Sequence, residues 1–262
     1  MLGIVPAAGS ATRMQPLGGS KELLPLGRHS STAGQPGRMR VVADYLIERM
    51  LLAGADRICL IVSAEKSDLI RYYARSSCAE RIFFAAQPEP AGLCDAVFRA
   101  APLVQPGEPV LVGLPDTVWY PRTAFAQGLR DSVHLITFPV SHPEEFDAVL
   151  ETAPGVVSHV EVKQPGAAKR RVWGAITAPG EAFLRLEQLW RARGRRDLFL
   201  GDLFNAWMAD GEPVSCDQQG TQYWDIGTPA GYERALRDRV WVSEEEVARP
   251  PRTRDALPLV GL

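Results

Sequence analysis

Short apolar runs alternate with amphipathic segments through the first half of the chain. The apolar runs, such as residues 2–7 and 109–116, have the length of buried strands. Residues 41–55 instead carry apolar side chains at helical spacing up to a glycine that is typical of a helix end. The pattern predicts strands at 2–7, 57–63, 81–87 and 109–116, and helices at 41–55, 66–76 and 93–104. This alternation predicts an α/β fold with a mostly parallel, Rossmann-like sheet flanked by helices.

The pattern changes after about residue 130, where apolar runs follow one another with few helices between them. The predicted strands are 132–140, 146–152, 155–163 and 170–177, and the predicted helices are 180–192 and 199–210. We interpret this part as an inserted, partly antiparallel subdomain, about 131–220, within a single domain that spans residues 1–248. A turn and a helix at 221–248 close that domain. The Pro- and Arg-rich residues 249–262 are expected to form an irregular tail.

Composition excludes several classes of protein. The chain has 262 residues, 46% of them hydrophobic, which is enough for a sizeable core. Its net charge of -2 argues against a general nucleic-acid binder. No apolar stretch is long enough to cross a bilayer, and the four cysteines are scattered, as in a cytoplasmic protein with reduced thiols. We therefore expect no nucleic-acid or membrane partner, and the sequence leaves a homo-oligomer open.

A loop of small residues follows the first strand. It is made of Ala8, Gly9, Ser10, Ala11 and Thr12. The carboxyl end of a parallel strand lies at the ligand-binding edge of its sheet, and closely approachable backbone amides form an anion site there. The cations that follow suit phosphate, because Arg13 offers a bidentate fork and Lys21 a point charge. The alternative is a tight turn followed by two surface cations.

Six segments, in order, resemble a known family. They are "GIVPAAGSATRM", "SKELLP", "QPEPAGLCDAV", "VLVGLPDT", "VEVKQP" and "YWDIGTPAGYERA", between residue 2 and about residue 236. Together they resemble the sugar-1-phosphate nucleotidyltransferases, in particular the glucose-1-phosphate thymidylyltransferases. The resemblance implies Mg²⁺-dependent transfer of dTMP or UMP from a nucleoside triphosphate to a sugar-1-phosphate, which gives an NDP-sugar and pyrophosphate. It also implies a nucleotide-binding half at about 1–130 and a sugar-binding half at about 131–220.

The resemblance assigns the nucleotide and the metal to particular residues. The small-residue loop, Arg13 and Lys21 would hold the triphosphate, and Asp116 and Asp225 would bind Mg²⁺. Two carboxylates from distant segments suit a Mg²⁺ ion that takes its other ligands from phosphates and water. The alternatives are a helix N-cap for Asp116 and a turn residue for Asp225.

The base is assigned to Gln87 and Gly92. A primary amide both donates and accepts, so Gln87 could pair with the N3–H and O4 edge of uracil or thymine. A backbone group of Gly92 would complete the recognition. Alternatively, Gln87 caps its own loop.

The sugar half departs most from the family. Lys163 would hold the sugar phosphate as a catalytic cation, and Glu161, Ala148 and Gly174 would line the sugar. Val162 separates Glu161 from Lys163, which places both on one face of a strand if the strand continues. Lys163 could equally be a surface residue at a strand end.

Two other functions remain open. A cytidylyltransferase of a polyol or choline phosphate shares the style of the first loop, but the "WDIGTP" segment argues against it. A domain that only senses nucleotide sugars would not need Arg13, Lys21, Asp116 and Asp225 together.

Overall fold

A computed structural model describes residues 1–28, 39–167 and 169–242. The strands are β1 Leu2–Pro6, β2 Pro25–Arg28, β3 Met39–Val41, β4 Arg57–Val62, β5 Ile82–Ala86, β6 Pro109–Gly113, β7 Thr117–Tyr120, β8 Val133–Pro139, β9 Asp147–Ala153, β10 Val156–Val162, β11 Arg171–Pro179, β12 Val214–Asp217 and β13 Gln222–Asp225. The helices are α1 Val42–Leu52, α2 Ser67–Tyr73, α3 Gly92–Phe98, α4 Ala124–Gln127, α5 Gly180–Ala192, α6 Leu200–Ala209 and α7 Pro229–Arg237. The predicted tail 249–262 and most of the loop 27–39 lie outside the described residues.

A nine-stranded sheet in the order β5-β4-β1-β6-β11-β8-β12-β10-β9 forms the centre of the fold. The strands β5, β4, β1 and β6 are mutually parallel, with Leu2 of β1 paired to Arg57 on one side and Val110 on the other. Their carboxyl ends therefore meet at one edge, where the loops after β1, β5 and β6 carry the predicted nucleotide residues.

The second half of the chain extends the same sheet. β11 runs antiparallel to both β6 and β8, whereas β12 is parallel to β8 and the outer strands β10 and β9 are antiparallel. The sheet is thus mixed, and the strands predicted as an insertion are continuous with the parallel part. Apolar clusters cover both faces, because the strands place alternate side chains on opposite sides.

A separate two-stranded ribbon, β7–β13, joins distant parts of the chain. Thr117 pairs with Asp225 in antiparallel register, and the amide of Ile226 donates to the carbonyl of Asp116 at 2.8 Å. The ribbon packs against α1, where the buried guanidinium of Arg49 donates twice to the carbonyl of Trp119. Both predicted metal residues are positioned by this ribbon.

The described helices include none that combines the length and hydrophobicity needed to cross a membrane. The longest, α5, carries its buried residues on one stripe, which packs on the sheet next to α6. Its bounds coincide with the predicted helix 180–192, and α6 lies one residue inside the predicted 199–210 at each end.

Candidate active site

The predicted metal residues converge on one glycine. A methyl group placed on Gly227 would lie 2.9 Å from Asp116 Oδ2, 2.9 Å from Asp225 Oδ1 and 2.9 Å from Arg13 Nη2. The amide of Gly227 also donates to Asp225 Oδ1 at 2.7 Å. Two carboxylates and a guanidinium therefore surround a space that the absence of a side chain keeps open.

Lys21 makes direct contact with this acidic pair. Its ammonium lies 2.5 Å from Asp116 Oδ2, and both side chains are largely buried. Burial alone would disfavour the ammonium, but the carboxylates of Asp116, Glu22 and Asp225 raise the pKa of Lys21. Burial also opposes ionisation of Asp116, yet Lys21 holds the pKa of that carboxyl below its usual value.

The pKa of Asp225 is shifted in the opposite direction, upward. Burial and the negative charge of Asp116 raise its pKa, and the amide of Gly227 and the charges of Arg13 and Lys21 only partly offset them. The exposed Arg13 guanidinium lies 3.7 Å from Asp225 Oδ2. Two carboxylates held this close favour a cation between them. Among the described residues no group of three or more His, Cys, Asp or Glu is placed to hold a metal, so a metal here would need ligands from substrate or water.

A cavity of about 500 Å³ is lined by chain neighbours of Arg13 and Lys21, although neither of these two residues nor the acidic pair lines it. Its wall includes Ala8, Ser10 and Ala11 of the predicted phosphate loop, together with Ser20 and Gln87. The loop places its small residues toward solvent after the buried strand β1, with Gly9 and Ser10 exposed. Thr12 and Arg13 lie in the short 3-10 turn Thr12–Met14 that follows the loop.

Ala11 adopts a left-handed conformation, with φ of 52°. A non-glycine residue in this conformation is strained, and such strain concentrates at sites where the backbone must present particular groups. The amide of Met14 closes the turn by donating to the carbonyl of Ala11 at 2.9 Å.

Gln87 is buried at the end of β5 and is fixed by two hydrogen bonds. Its Nε2 donates to the carbonyl of Gly92 at 3.1 Å and to Asp95 Oδ2 at 2.8 Å. Gly92 has φ of 91°, and a Cβ there would lie 2.9 Å from the carbonyl of Leu198, so glycine is required by close backbone packing. The loop-capping role considered for Gln87 is therefore real, and it leaves the side-chain carbonyl for another partner.

Lys66 also lines the cavity, although no motif in the sequence predicts a role for it. Its ammonium lies 2.7 Å and 2.8 Å from the two carboxylate oxygens of Glu22, a residue only 1% exposed. Lys66 is one of four lysines among 29 basic residues, and this rarity was the one signal in the sequence. The pair places a second cation at the wall, next to the segment that carries Lys21.

The strand that carries Glu161 does not continue through Lys163. β10 ends at Val162, and Lys163 has φ of 45°, which turns the chain out of the strand. The exposed Lys163 ammonium lies 4.4 Å from the centroid of the Phe199 ring. Glu161, which pairs with Ala148 across the sheet, has one buried oxygen, Oε2, without a hydrogen-bond partner.

Ala148 and Gly174 are explained by packing. Ala148 is fully buried, and a Cβ on Gly174 would lie 2.5 Å from Tyr223 and 2.8 Å from Phe138. Glycine at position 174 thus lets two aromatic rings pack against the sheet. Tyr223 belongs to the ribbon that ends in Asp225, so this packing supports the acidic pair.

Asp147 lies on the sheet face opposite Ala148 and was also missed by the sequence analysis. Its Oδ2 accepts from the indole of Trp173 at 3.2 Å. Burial raises the pKa of Asp147 to about 6, although the Trp173 hydrogen bond and the charge of Lys163 oppose the change. A buried acid beside Lys163 makes this corner of the sheet more polar than its sequence pattern indicates.

A family model described as nucleotidyl transferase matches residues 2–146, more than half of the chain. The chain belongs to the nucleotidyl transferase family. This membership confirms the enzyme class predicted from the sequence motifs. The match includes the first loop, Lys21, Gln87 and Asp116, whereas Asp225 and Lys163 lie beyond it.

Solved structures share the fold of this nucleotidyl transferase over most of its length. A Bacillus anthracis protein described as a glucose-1-phosphate thymidylyltransferase, in complex with sucrose, is 18% identical with a TM-score of 0.75, covering 92% of this chain and 96% of its own. A UTP-bound UGPase from Acinetobacter baumannii is 20% identical with a TM-score of 0.72, covering 90% of this chain and 92% of its own. A UDP-glucose pyrophosphorylase complexed with UDP-glucose is 17% identical with a TM-score of 0.73. The match covers 90% of this chain and 97% of that protein's chain. At these identities the likeness establishes the fold, and it confirms the predicted α/β class. A comparison with curated proteins gave no match.

Proposed function

We propose that this nucleotidyl transferase moves a uridylyl or thymidylyl group from a nucleoside triphosphate to a sugar-1-phosphate. The observation that carries the proposal is the convergence of Arg13, Asp116 and Asp225 around Gly227, with Lys21 in contact with Asp116. The first loop, which precedes Arg13, lines a separate cavity. Such a site combines anion-binding amides and cations with a carboxylate pair. The similar solved structures bound to UTP and UDP-glucose support a nucleotide and a sugar as its ligands.

The acidic pair fits a magnesium ion. Asp116 and Asp225 would hold it, since their oxygens flank a space that a single Cβ would fill. Mg²⁺ binds proteins through one or two carboxylates and takes substrate phosphates as further ligands. When bound, it would neutralise charge on the phosphates of the triphosphate.

The protein's own task in this reaction is to hold two anions together. The attacking oxygen of a sugar-1-phosphate is already anionic and needs no general base, so alignment and charge neutralisation supply the catalysis. The loop amides and Arg13 would hold the triphosphate, and Lys21 would neutralise charge that moves to the departing pyrophosphate. Asp116 keeps the Lys21 ammonium charged and in place before substrate binds.

Two observations support a sugar-phosphate site near the end of β10. Lys163 keeps a strained backbone conformation that a glycine would adopt freely, and such strain is common where a side chain must reach a ligand. Glu161 has a buried oxygen with no hydrogen-bond partner, and a sugar hydroxyl is a suitable donor to it.

Turnover with a panel of substrates tests this function. Each of UTP, dTTP, CTP, ATP and GTP is combined with glucose-, galactose- and mannose-1-phosphate, and with choline and polyol phosphates, while pyrophosphate release is followed. We expect release with UTP or dTTP and a sugar-1-phosphate, and none when EDTA removes Mg²⁺. A preference for CTP with choline or a polyol phosphate would overturn the proposal. So would nucleotide binding without release for any pair, which would indicate a sensing domain.

A further inference from the structure

The side-chain amide of Gln87 can take only one orientation. Its near neighbours on one side are the carbonyl of Gly92 and the carboxylate of Asp95, 3.1 and 2.8 Å from Nε2. Both groups accept from Gln87 Nε2, so the NH₂ faces them and uses both of its hydrogens there. Flipping the amide would place its carbonyl against two oxygens in a buried site, because Gln87 is 4% exposed.

The Asp95 carboxylate accepts hydrogen bonds from a second residue as well as from Gln87. Arg99, one turn later on α3, donates from Nε to Oδ2 at 3.1 Å and from Nη2 to Oδ1 at 2.9 Å. Arg99 therefore makes a bidentate contact with the Asp95 carboxylate, in addition to the hydrogen bond from Gln87. A carboxylate that accepts from both Arg99 and Gln87 cannot become a donor to Gln87.

The carbonyl Oε1 is the polar group of Gln87 that remains for a ligand. Gln87 lines the 500 Å³ cavity, and none of the described residues donates to Oε1. An acceptor fixed in this position favours a base whose pairing edge carries a ring N–H. Uracil and thymine have that donor at N3, whereas the N3 of cytosine is an acceptor and would face Oε1 with repulsion.

We infer that Asp95 is the positioning residue that sets base selection: it locks Gln87 as an acceptor and so makes the site accept uracil or thymine and reject cytosine. This inference rests on the proposed nucleotide site. It adds that the choice of base depends on Asp95, a residue that does not line the cavity. Gln87 makes the contact with the base, and Asp95 acts only through Gln87.

Equilibrium binding of UTP and CTP, measured by calorimetry in the presence of Mg²⁺, tests the inference in the intact protein. Asp95→Asn offers an NH₂ to Gln87 and releases the amide, so the ratio of UTP to CTP affinity should fall about tenfold or more, as expected when one buried hydrogen bond changes from matched to mismatched. Asp95→Ser, with a hydroxyl that both donates and accepts, should lower the ratio in the same direction and replaces Asp95→Asn if that variant does not fold. An unchanged ratio in a folded variant would overturn the inference.

A double-mutant cycle separates positioning from general destabilisation. In a Gln87→Leu background the Asp95→Asn change should leave the UTP to CTP ratio where Gln87→Leu alone puts it, because Asp95 has nothing left to orient. A further fall in the double variant would contradict the role of Asp95 as a positioning residue. Arg99→Met should retain the wild-type ratio, since the Asp95 carboxylate still accepts from Gln87.

Glu187→Gln serves as the matched control, because Glu187 is also a buried acid on a helix that pairs with an arginine four residues later. It lies on α5 and should leave the ratio unchanged. Pyrophosphate release is measured on the same proteins. Selective binding that depends on Asp95, without any pyrophosphate release, would refute nucleotidyl transfer and retain base selection by Asp95. Pyrophosphate release with equal UTP and CTP affinity in the wild type would retain nucleotidyl transfer and refute base selection.

Discussion

The ammonium of Lys21 lies 2.5 Å from Asp116 Oδ2, although 95 positions separate the two residues in the chain. Lys21 begins the short 3-10 turn Lys21–Leu23, and Asp116 follows the last strand of the parallel part of the sheet. Each side chain fixes the other before any substrate is present. In the proposed function Asp116 would therefore have two tasks, as a metal ligand and as the partner that positions the cation Lys21.

This double task predicts unequal effects of two conservative changes. Asp116→Asn and Asp225→Asn should each lower kcat by about a hundredfold or more, because each removes a ligand charge from the metal. Asp116→Asn should be the more severe, since Lys21 also loses its anionic partner. Steady-state kinetics over a range of Mg²⁺ concentrations, with calorimetric measurement of Mg²⁺-dependent UTP binding, checks both effects.

Asp131→Asn is the control for these variants, because Asp131 is an exposed aspartate outside both motifs. It should retain the wild-type rate. If Asp225→Asn keeps a near-normal rate at low Mg²⁺, Asp225 is not a metal ligand.

Gly227 should not tolerate a methyl group. Gly227→Ala would place Cβ within 2.9 Å of Arg13, Asp116 and Asp225, so these groups must move apart. We expect kcat to fall about tenfold or more with the thermal unfolding midpoint little changed, since the neighbours are ends of side chains. Gly18→Ala, where a Cβ meets nothing within 4 Å, is the matched control and should behave as wild type. Full activity of Gly227→Ala would show that the open space is not used.

Lys163 allows its charge to be separated from its backbone. Lys163→Ala and Lys163→Gly both remove a charge-assisted phosphate contact of about 1.5–3 kcal/mol, so KM for the sugar-1-phosphate should rise roughly tenfold or more in both. The glycine variant should be the more stable by up to about 1 kcal/mol, because φ of 45° costs glycine nothing. Kinetics at saturating triphosphate and chemical denaturation measure the two effects separately.

The exposed Lys169 provides the comparison for this experiment. Lys169→Ala should leave KM for the sugar-1-phosphate unchanged. If instead Lys169→Ala raises it and Lys163→Ala does not, the cation for the sugar phosphate has been misassigned.

Asp147 should make stability depend on pH. Its folded pKa is about 6, against about 3.9 in an unfolded chain, so the folded state holds a proton between these values that the unfolded state has lost. The free energy of unfolding should therefore decrease as pH rises from about 4 to about 6 and then level off. Asp147→Asn should remove that decrease. The free energy of unfolding of the variant, relative to wild type, should therefore be about 1–3 kcal/mol more favourable at pH 7.5 than at pH 4.

Urea denaturation at several pH values tests this prediction, with Asp131→Asn as the exposed counterpart that should show no such gain. A parallel pH dependence in wild type and Asp147→Asn would mean that another group titrates in this range.

The parts of the fold that could be read from sequence are those with strong local patterns. β1, β4 and the helix α5 have continuous apolar runs or a clear helical stripe, and their positions agree with the prediction. The strands β7 and β13 have four residues each and lie next to motifs that were interpreted as loops. Their pairing depends on contacts between residues more than a hundred positions apart, and no local pattern encodes such a contact.

The site residues likewise divide into those that local motifs predict and those that depend on distant contacts. Arg13, Lys21, Asp116 and Asp225 stand in recognisable motifs, and the structure brings them together. Lys66, Asp95 and Asp147 lie within ordinary helical or strand patterns, where an isolated charged residue reads as part of a solvated face. Their importance comes from burial and from partners such as Glu22 and Gln87, which only the folded chain supplies. The end of β10 before Lys163 was not predicted either, because a lysine at positive φ is not distinguished by its residue type.

The β7–β13 ribbon also governs when the enzyme becomes competent during its synthesis. The four parallel strands and the first loop lie within the first 113 residues of the chain. The partner of Asp116 is not made until Asp225 emerges, and its placement requires β13 to pair with β7. A chain that ends before Asp225 therefore lacks half of the carboxylate pair. The carboxylate pair is thus complete only when nearly the whole domain has been synthesised.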